Sequence, residues 1–250
     1  MNVKLLICFA MILFLVDTIS ASTLVVYKTY ACKTGDLYFS TIRDAVMHAN
    51  DGDTIIVCPG TYTENVDVDK SVEICSYSQN PSDTIVNADD PHDSVFYVTA
   101  DNVTIKGFTV TGATAGCFWT CFWKAGIFLY NSNNCKIENI NASNNWHGIF
   151  LLSSSNNIIA NNNISNNKDG IYLWGSDNNI IANNTFLLNG MFVYDSYNNK
   201  VTNNTVNGKP LVYLENVNDY VVGRCWSSYC CKLEQYNHQR LEPFLCKRWR

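Results

Sequence analysis

Asp-Pro-His-Asp, at Asp90 to Asp93, puts two carboxylates and an imidazole in four residues. Such a trio suits proton transfer, in which one group takes a proton and another supplies one. The same composition is also ordinary loop chemistry, because Asp and Pro favour turns. Asp169, Asp177 and Asp195 lie in the asparagine-rich half of the chain. A close pair of them would make a second acid–base set, whereas singly each replaces asparagine in a turn. His147, between Trp146 and Gly148, reads as a proton shuttle or as a surface turn residue. The stretch "AGCFWTCFWKAG" sets Phe118, Trp119, Phe122 and Trp123 around Cys117 and Cys121. Aromatic faces of this kind stack on ligand rings, sugars included. The alternative is a segment folded over itself, clipped by Cys117–Cys121 or bonded to Cys135. Trp146 and Trp174 would extend a ligand surface.

These residues are positioned by a repeat. "GIFL" stands at Gly126 and again at Gly148, "GIYL" at Gly170 and "GMFV" at Gly190, so the spacings are 22, 22 and 20. Asparagine pairs begin at Asn133, Asn156, Asn178 and Asn198, and a third register runs Ile105, Ile137, Ile159, Ile181, Val201. A period near 22 filled with short β-branched pieces means stacked β-coils. Three short strands per coil of about 20–23 residues, joined by tight turns, predict an all-β, right-handed parallel β-helix. Asparagine suits the turns because it tolerates left-handed backbone, and amides stacked coil on coil can bond one another. One step breaks the period: Val110 to Gly126 is 16 residues, where Ala142 to Gly148 and Ile164 to Gly170 are 6. The aromatic insert occupies that gap, and inserts on rigid scaffolds carry function.

Before the repeats, Thr41 to Ala49 reads as an amphipathic helix with Ser40 as N-cap, placed to cover the open first coil. The strand Thr54 to Cys58 and a Pro59-Gly60 turn follow. Residues 1–21 read as a secretory signal: Lys4, an apolar run from Leu5 to Val16, then Ser20 and Ala21. That run is short for a membrane span, so no transmembrane span is expected once the signal is removed. The organisation expected is signal 1–21, lead-in 22–37, β-helix 38–223 and an aberrant tail 224–250. A formal net charge of −5 with no basic stripe excludes nucleic acid as a partner. Export makes the 11 cysteines readable as disulfide material, with Cys58, Cys75, Cys117, Cys121 and Cys135 as candidates beside Cys32. Buried free thiols are the alternative for Cys58 and Cys75. No cysteine–histidine spacing suits zinc, and neither a metal nor a cofactor is expected. Sequons begin at Asn102, Asn141, Asn163, Asn183 and Asn203, all at related repeat positions, and mark glycosylation sites or simply turn composition.

The run "TIRDAV...DGDTIIVCPGTYTENVDVDKSVEI" resembles the N-terminal cap and first coils of the pectin-lyase-like superfamily. The Asn-rich repeats resemble NosD-type β-helices, also described as carbohydrate-binding and sugar-hydrolase domains, and "NGKPLVYLEN" resembles a stretch of archaeal members. The likeness spans residues 38 to 223. It implies an exported or cell-surface protein whose partner is a carbohydrate or other cell-surface polymer. Binding without catalysis is the leading expectation; a polysaccharide-active C5-epimerase, lyase or glycoside hydrolase is the other. Asp90 to Asp93 matches the "DPHD" motif of mannuronan C5-epimerases, which share this fold. A hydrolase would use a close carboxylate pair. A lyase would need a cation near a uronate, and residues 133–217 offer Lys136, Lys168, Lys200 and Lys209 but no Arg. The copper in the NosD name finds no His, Met and Cys cluster.

After Gly223 the pattern stops, in "RCWSSYCCKLEQYNHQRLEPFLCKRWR". Codons read one base later permit "G-x-x-I-V-V-N-x-N-N-I-T-I", close to the repeat. This tail reads as a frameshift in a longer β-helix, or else as a cysteine-rich cap.

Overall fold

The computed structural model describes residues 20–115 and 124–215, together with the backbone of residues 231–232. The chain winds through three sheets in fixed order. Ile158–Ala160 lies in the first, Asn163–Ser165 in the second and Asp169–Trp174 in the third, and Ile180–Ala182 re-enters the first one coil on. The sheets hold nine, eight and six strands. Neighbouring coils pair in parallel; among the described residues a single antiparallel pairing, Thr205–Val206 with Lys209–Pro210, closes the second sheet. This is the expected parallel β-helix, and right-handed winding is the rule for parallel crossovers.

Register explains the core. Leu24, Ile55, Ile74, Ile105, Ile137, Ile159, Ile181 and Val201 stack in one inward column of the first sheet. Ile127, Ile149, Ile171 and Met191 make another in the third. Strand alternation sends these residues inward, and identical coils place identical residues over one another.

Asparagine turns the corners in pairs. The first of each pair takes the left-handed backbone, as at Asn156 (φ 61°), Asn161 (φ 58°) and Asn166 (φ 54°). The second, Asn157, Asn162 or Asn167, is buried. Its side-chain oxygen accepts from the backbone N–H of Cys135 (2.7 Å), Ile140 (2.9 Å) or Asn145 (2.9 Å). Its side-chain nitrogen donates to the Ser132, Ile137 or Ala142 carbonyl. Two residues thus reverse the chain while satisfying its buried backbone groups. The columns continue through Asn179 and Asn199, and through Asn184 and Asn204. In the latter the amides also bond each other, Asn162 Nδ2 to Asn184 Oδ1 at 3.0 Å.

The N-terminal part departs from expectation in two places. The helix is Ile42–His48, and Thr41 caps it rather than Ser40: its hydroxyl accepts from the Asp44 N–H at 3.1 Å. The Glu64 carboxylate accepts from the Ile42 and Arg43 N–H groups, as the positive end of a helix favours. Ile42, Ala45 and Val46 are the buried helix residues. The stretch read as a lead-in also holds a strand: Thr23–Val26 pairs in parallel with Thr54–Val57 and with Leu37–Phe39, so the first sheet begins ahead of the helix.

Cys58 is bonded to Cys32, with the sulfurs 2.04 Å apart. Cys75 and Cys135 are free buried thiols, correcting their reading as disulfide candidates. Cys135 holds the column position that Asn157 and Asn179 take in later coils, and its thiol faces the Ala100 and Asn133 carbonyls. Burial pushes that thiol up to about 11. Cys117 and Cys121, and the tail apart from the backbone of residues 231–232, lie outside the described residues. Reducing Cys32–Cys58, which closes a loop of sequence separation 26, should lower stability by about 3 kcal/mol. Denaturant midpoints with and without reductant, and for Cys32→Ser, measure it.

Candidate functional site

The third sheet carries the longest strands, Ala125–Tyr130, His147–Leu152 and Asp169–Trp174. Their inward residues are the "I" and "L" of the repeated tetrapeptide, so the third letter faces out. Tyr97, Phe128, Phe150, Tyr172 and Phe192 therefore form an outer aromatic column. Successive centroids lie 5.3, 4.8, 4.8 and 4.7 Å apart. Phe128, Phe150 and Tyr172 stack nearly parallel, at 6° and 12°. A second outer column, Tyr130, Leu152, Trp174 and Tyr194, runs beside it. Phe128 and Phe150 are buried, while Tyr130 and Tyr194 are each 38% exposed, so the centre is a packed seam with accessible rings along its margin. Asp93, Tyr97, Phe128 and Tyr130 line a cleft of about 320 Å³ at one end.

A polar rim borders the seam at the corner between the second and third sheets. Trp146 lies between two lysines, with Lys168 Nζ 3.8 Å and Lys124 Nζ 5.3 Å from its ring. Backbone bonds from His147 to Lys124 and from Asp169 to Trp146 set this column one coil apart per residue. Cations over an indole face are attracted to its electron density. Lys124 Nζ is buried and makes no hydrogen bond among the described residues, and burial lowers this ammonium from the usual lysine range against the opposing pull of Asp90. His147 Nδ1 is 3.1 Å from Asp169 Oδ2 but is not aligned with it as a hydrogen bond. Its ring packs against Phe150 and Tyr172, both at 5.1 Å. His147 is thus a buried strand residue, not a surface turn, because register sets it beside the aromatic column.

The Asp90 to Asp93 loop reaches the same rim. The Pro91 carbonyl accepts from Ala115, and Val95 donates to Ala125. Asp90 Oδ1 accepts from the His92 N–H (2.8 Å) and lies 3.0 Å from His92 Nδ1. The first-named contact leads in holding the Asp90 carboxyl below the usual carboxylate range. Asp90 and His92 therefore serve each other in an exposed turn, while Asp93 faces the cleft.

Of the two readings of the other aspartates, the turn reading describes Asp177 and Asp195. Asp177 and Asp195 lie beyond the far ends of their third-sheet strands, and a six-residue strand spans about 17 Å. Asp177 accepts from the Tyr197 N–H (2.6 Å) and Asp195 from the Tyr197 hydroxyl (3.0 Å). Both do turn work, and Asp169 alone of the three joins the rim. Phe118, Trp119, Phe122 and Trp123 lie outside the described residues; the described ends of their segment, Ala115 and Lys124, both stand at the rim. Tyr97, Phe128, Phe150, Tyr172, Lys124 and the pairing of Lys168 with Trp146 were missed. The signal was present as the aromatic third letter of each tetrapeptide.

Residues 46–219 match the family described as Periplasmic copper-binding protein (NosD). The chain belongs to the NosD family. Its described residues do not fit a copper centre, because nowhere among them do three or more His, Cys, Asp or Glu side chains converge so as to hold a metal ion. No helix among the described residues is long and apolar enough to cross a membrane. This NosD chain is 34% identical over 108 residues to a Cell surface glycoprotein of Methanothermus fervidus, a match covering 42% of the chain and 16% of that protein. In fold it is similar to an alginate lyase from a Paenibacillus species, with TM-score 0.52, 18% identity and coverage of 67% and 74% of the two chains. It is likewise similar to the catalytic domain of a GH87 α-1,3-glucanase solved with nigerose, with TM-score 0.55, 22% identity and coverage of 68% and 33%. At such identities the likeness is one of scaffold.

Proposed function

We propose that this NosD-family chain is an exported or cell-surface β-helix that binds carbohydrate on the outer face of its third sheet, without catalysis. The observation that carries this reading is the aromatic margin: Tyr97 and Tyr130 line a cleft that also presents the Asp93 carboxylate, and Trp174 and Tyr194 continue the accessible rings along the sheet. Rings present apolar surface to the C–H face of a sugar, and a carboxylate accepts its hydroxyls. The family's periplasmic description, the name of the Methanothermus relative and the Cys32–Cys58 disulfide support a place outside the cytoplasm.

A glycan array followed by calorimetry on the hits tests it. Tyr97→Ala and Tyr130→Ala should each weaken binding about tenfold or more. Tyr77→Ala, at an exposed ring following a first-sheet strand, should change nothing. No binding to any glycan, or equal binding by all three variants, overturns the proposal.

A second reading rests on a specific juxtaposition: Lys124, His147, Asp169 and the Asp90 to Asp93 loop share one rim. A base, an acid and a cation beside a ring-binding face are what a C5-epimerase or lyase requires. It predicts solvent deuterium entering uronate C5, or an unsaturated product, abolished by His147→Gln. A wild-type protein inert in both assays sinks it.

A further inference from the structure

We infer that the corner joining the first sheet to the second is a ridge of N-linked glycans, with Asn141, Asn163, Asn183 and Asn203 as acceptors. Each heads a sequon, and the four hydroxyl partners, Ser143, Ser165, Thr185 and Thr205, lie on second-sheet strands with their side chains away from the core. Asn163, Asn183 and Asn203 are exposed and Asn141 is partly so. Among the described residues none of these four side-chain amides makes a hydrogen bond, although the backbone N–H groups of Asn141, Asn163 and Asn183 do. The buried neighbours Asn162, Asn184 and Asn204 are all engaged in theirs, and none of those heads a sequon.

The placement argues against a by-product of composition. The strand column at this corner runs Asn141, Asn163, Thr185, Thr205. The turn column two residues earlier runs Asn139, Asn161, Asn183, Asn203. Where the strand column changes from Asn to Thr, the acceptor moves back into the turn column. Four consecutive coils thus each keep one acceptor at the same corner by two different placements, whereas a repeated turn composition would hold it in one column. The sequons therefore do not all share one repeat position; Asn102 (φ 60°) stands apart at the corner from the third sheet to the first. Consecutive acceptors are about 4.8 Å apart along the axis where they share a column. The ridge lies at the one corner that the third sheet does not form, so its glycans leave the aromatic face open.

The transfer replaces one amide N–H of each acceptor by a bond from nitrogen to the anomeric carbon of an oligosaccharide. The donor is a lipid-linked oligosaccharyl phosphate or pyrophosphate: its anomeric C–O bond breaks, the phosphate-bearing carrier departs with the bonding pair, and the amide proton passes to solvent. The inference rests on the extracellular placement proposed above.

Peptide mapping by mass spectrometry of the full chain purified from fractionated source cells decides it. The expected result is oligosaccharide on Asn163, Asn183 and Asn203, with Asn141 also modified. Thr185→Ala and Thr205→Ala, at outward positions that leave the core intact, should each abolish modification at Asn183 or Asn203 alone. A chain in the surface fraction with the ridge unmodified, or modified only at Asn102, overturns the inference and leaves the placement standing. A chain confined to the cytoplasm overturns both.

Discussion

Gly148→Ala should destabilise the fold by about 3 kcal/mol, whereas Gly190→Ala should be nearly neutral. A Cβ at position 148 would lie 2.6 Å from the Gly170 carbonyl oxygen, 2.7 Å from Ile164 and 2.9 Å from the Asn167 amide. The first contact is backbone of the next coil, which is itself tied into the third sheet and cannot give way alone. The methyl group must therefore separate two coils or displace the buried amide column. Gly126 and Gly170 meet the same obstacle, at 2.8 and 2.5 Å from the next coil's carbonyl. At Gly190 a Cβ meets no described atom within 4 Å. Close approach of the next coil thus explains the glycine of the first three tetrapeptides, at Gly126, Gly148 and Gly170. Thermal and denaturant unfolding of the two variants compares them directly, and equal midpoints would refute the account.

Asn184→Ala should cost about 4 kcal/mol, and Asn183→Gly less than about 1 kcal/mol, although the two residues are adjacent. Removing the Asn184 amide strands two buried groups and takes one of two acceptors from a third. The Asn162 N–H (3.0 Å) loses its acceptor and the Ile159 carbonyl (2.9 Å) its donor, while the Asn162 side-chain amide loses one bond (3.0 Å) and keeps the Ile137 carbonyl. Each unsatisfied group in a dry interior costs about 1–3 kcal/mol. Asn183 supplies only a left-handed turn, φ 58°, on the surface, which glycine adopts freely. Denaturant titration of protein made without glycosylation isolates the difference; comparable losses at the two positions would show that the amide column is not the stabilising element.

Much of this was legible in the sequence. The register Ile105, Ile137, Ile159, Ile181, Val201 is the observed ladder, residue for residue, because a parallel stack translates period directly into contact. What stayed hidden depended on direction rather than period. The aromatic letter of "GIFL" points outward, and strands this short give too few alternations to show which face is core. His147 was illegible for the same reason. The partner of Cys58 lies in the stretch around Cys32, which has no asparagine repeat to announce its strand. The asparagine pairs suggested turns and amide bonding; they did not show that one member sets the backbone while the other fills the interior.

Between Ile105 and Val201, chain length varies at a single corner. From the first sheet to the second the count is constant: Ile137 to Asn141, Ile159 to Asn163 and Ile181 to Thr185 are each 4 residues. From the third sheet back to the first it is again fixed, with Leu129 to Ile137, Leu151 to Ile159 and Leu173 to Ile181 each 8. From the second sheet to the third, Val110 to Ile127 is 17, Ala142 to Ile149 and Ile164 to Ile171 are 7, and Phe186 to Met191 is 5. The two residues dropped in the last case are the counterparts of Lys168 and Asp169. The polar rim is therefore a window with two jambs, an insertion on one side and a deletion on the other. Between Ile105 and Val201, two corners keep the gauge while the third lengthens and shortens, and that variation falls beside the aromatic face.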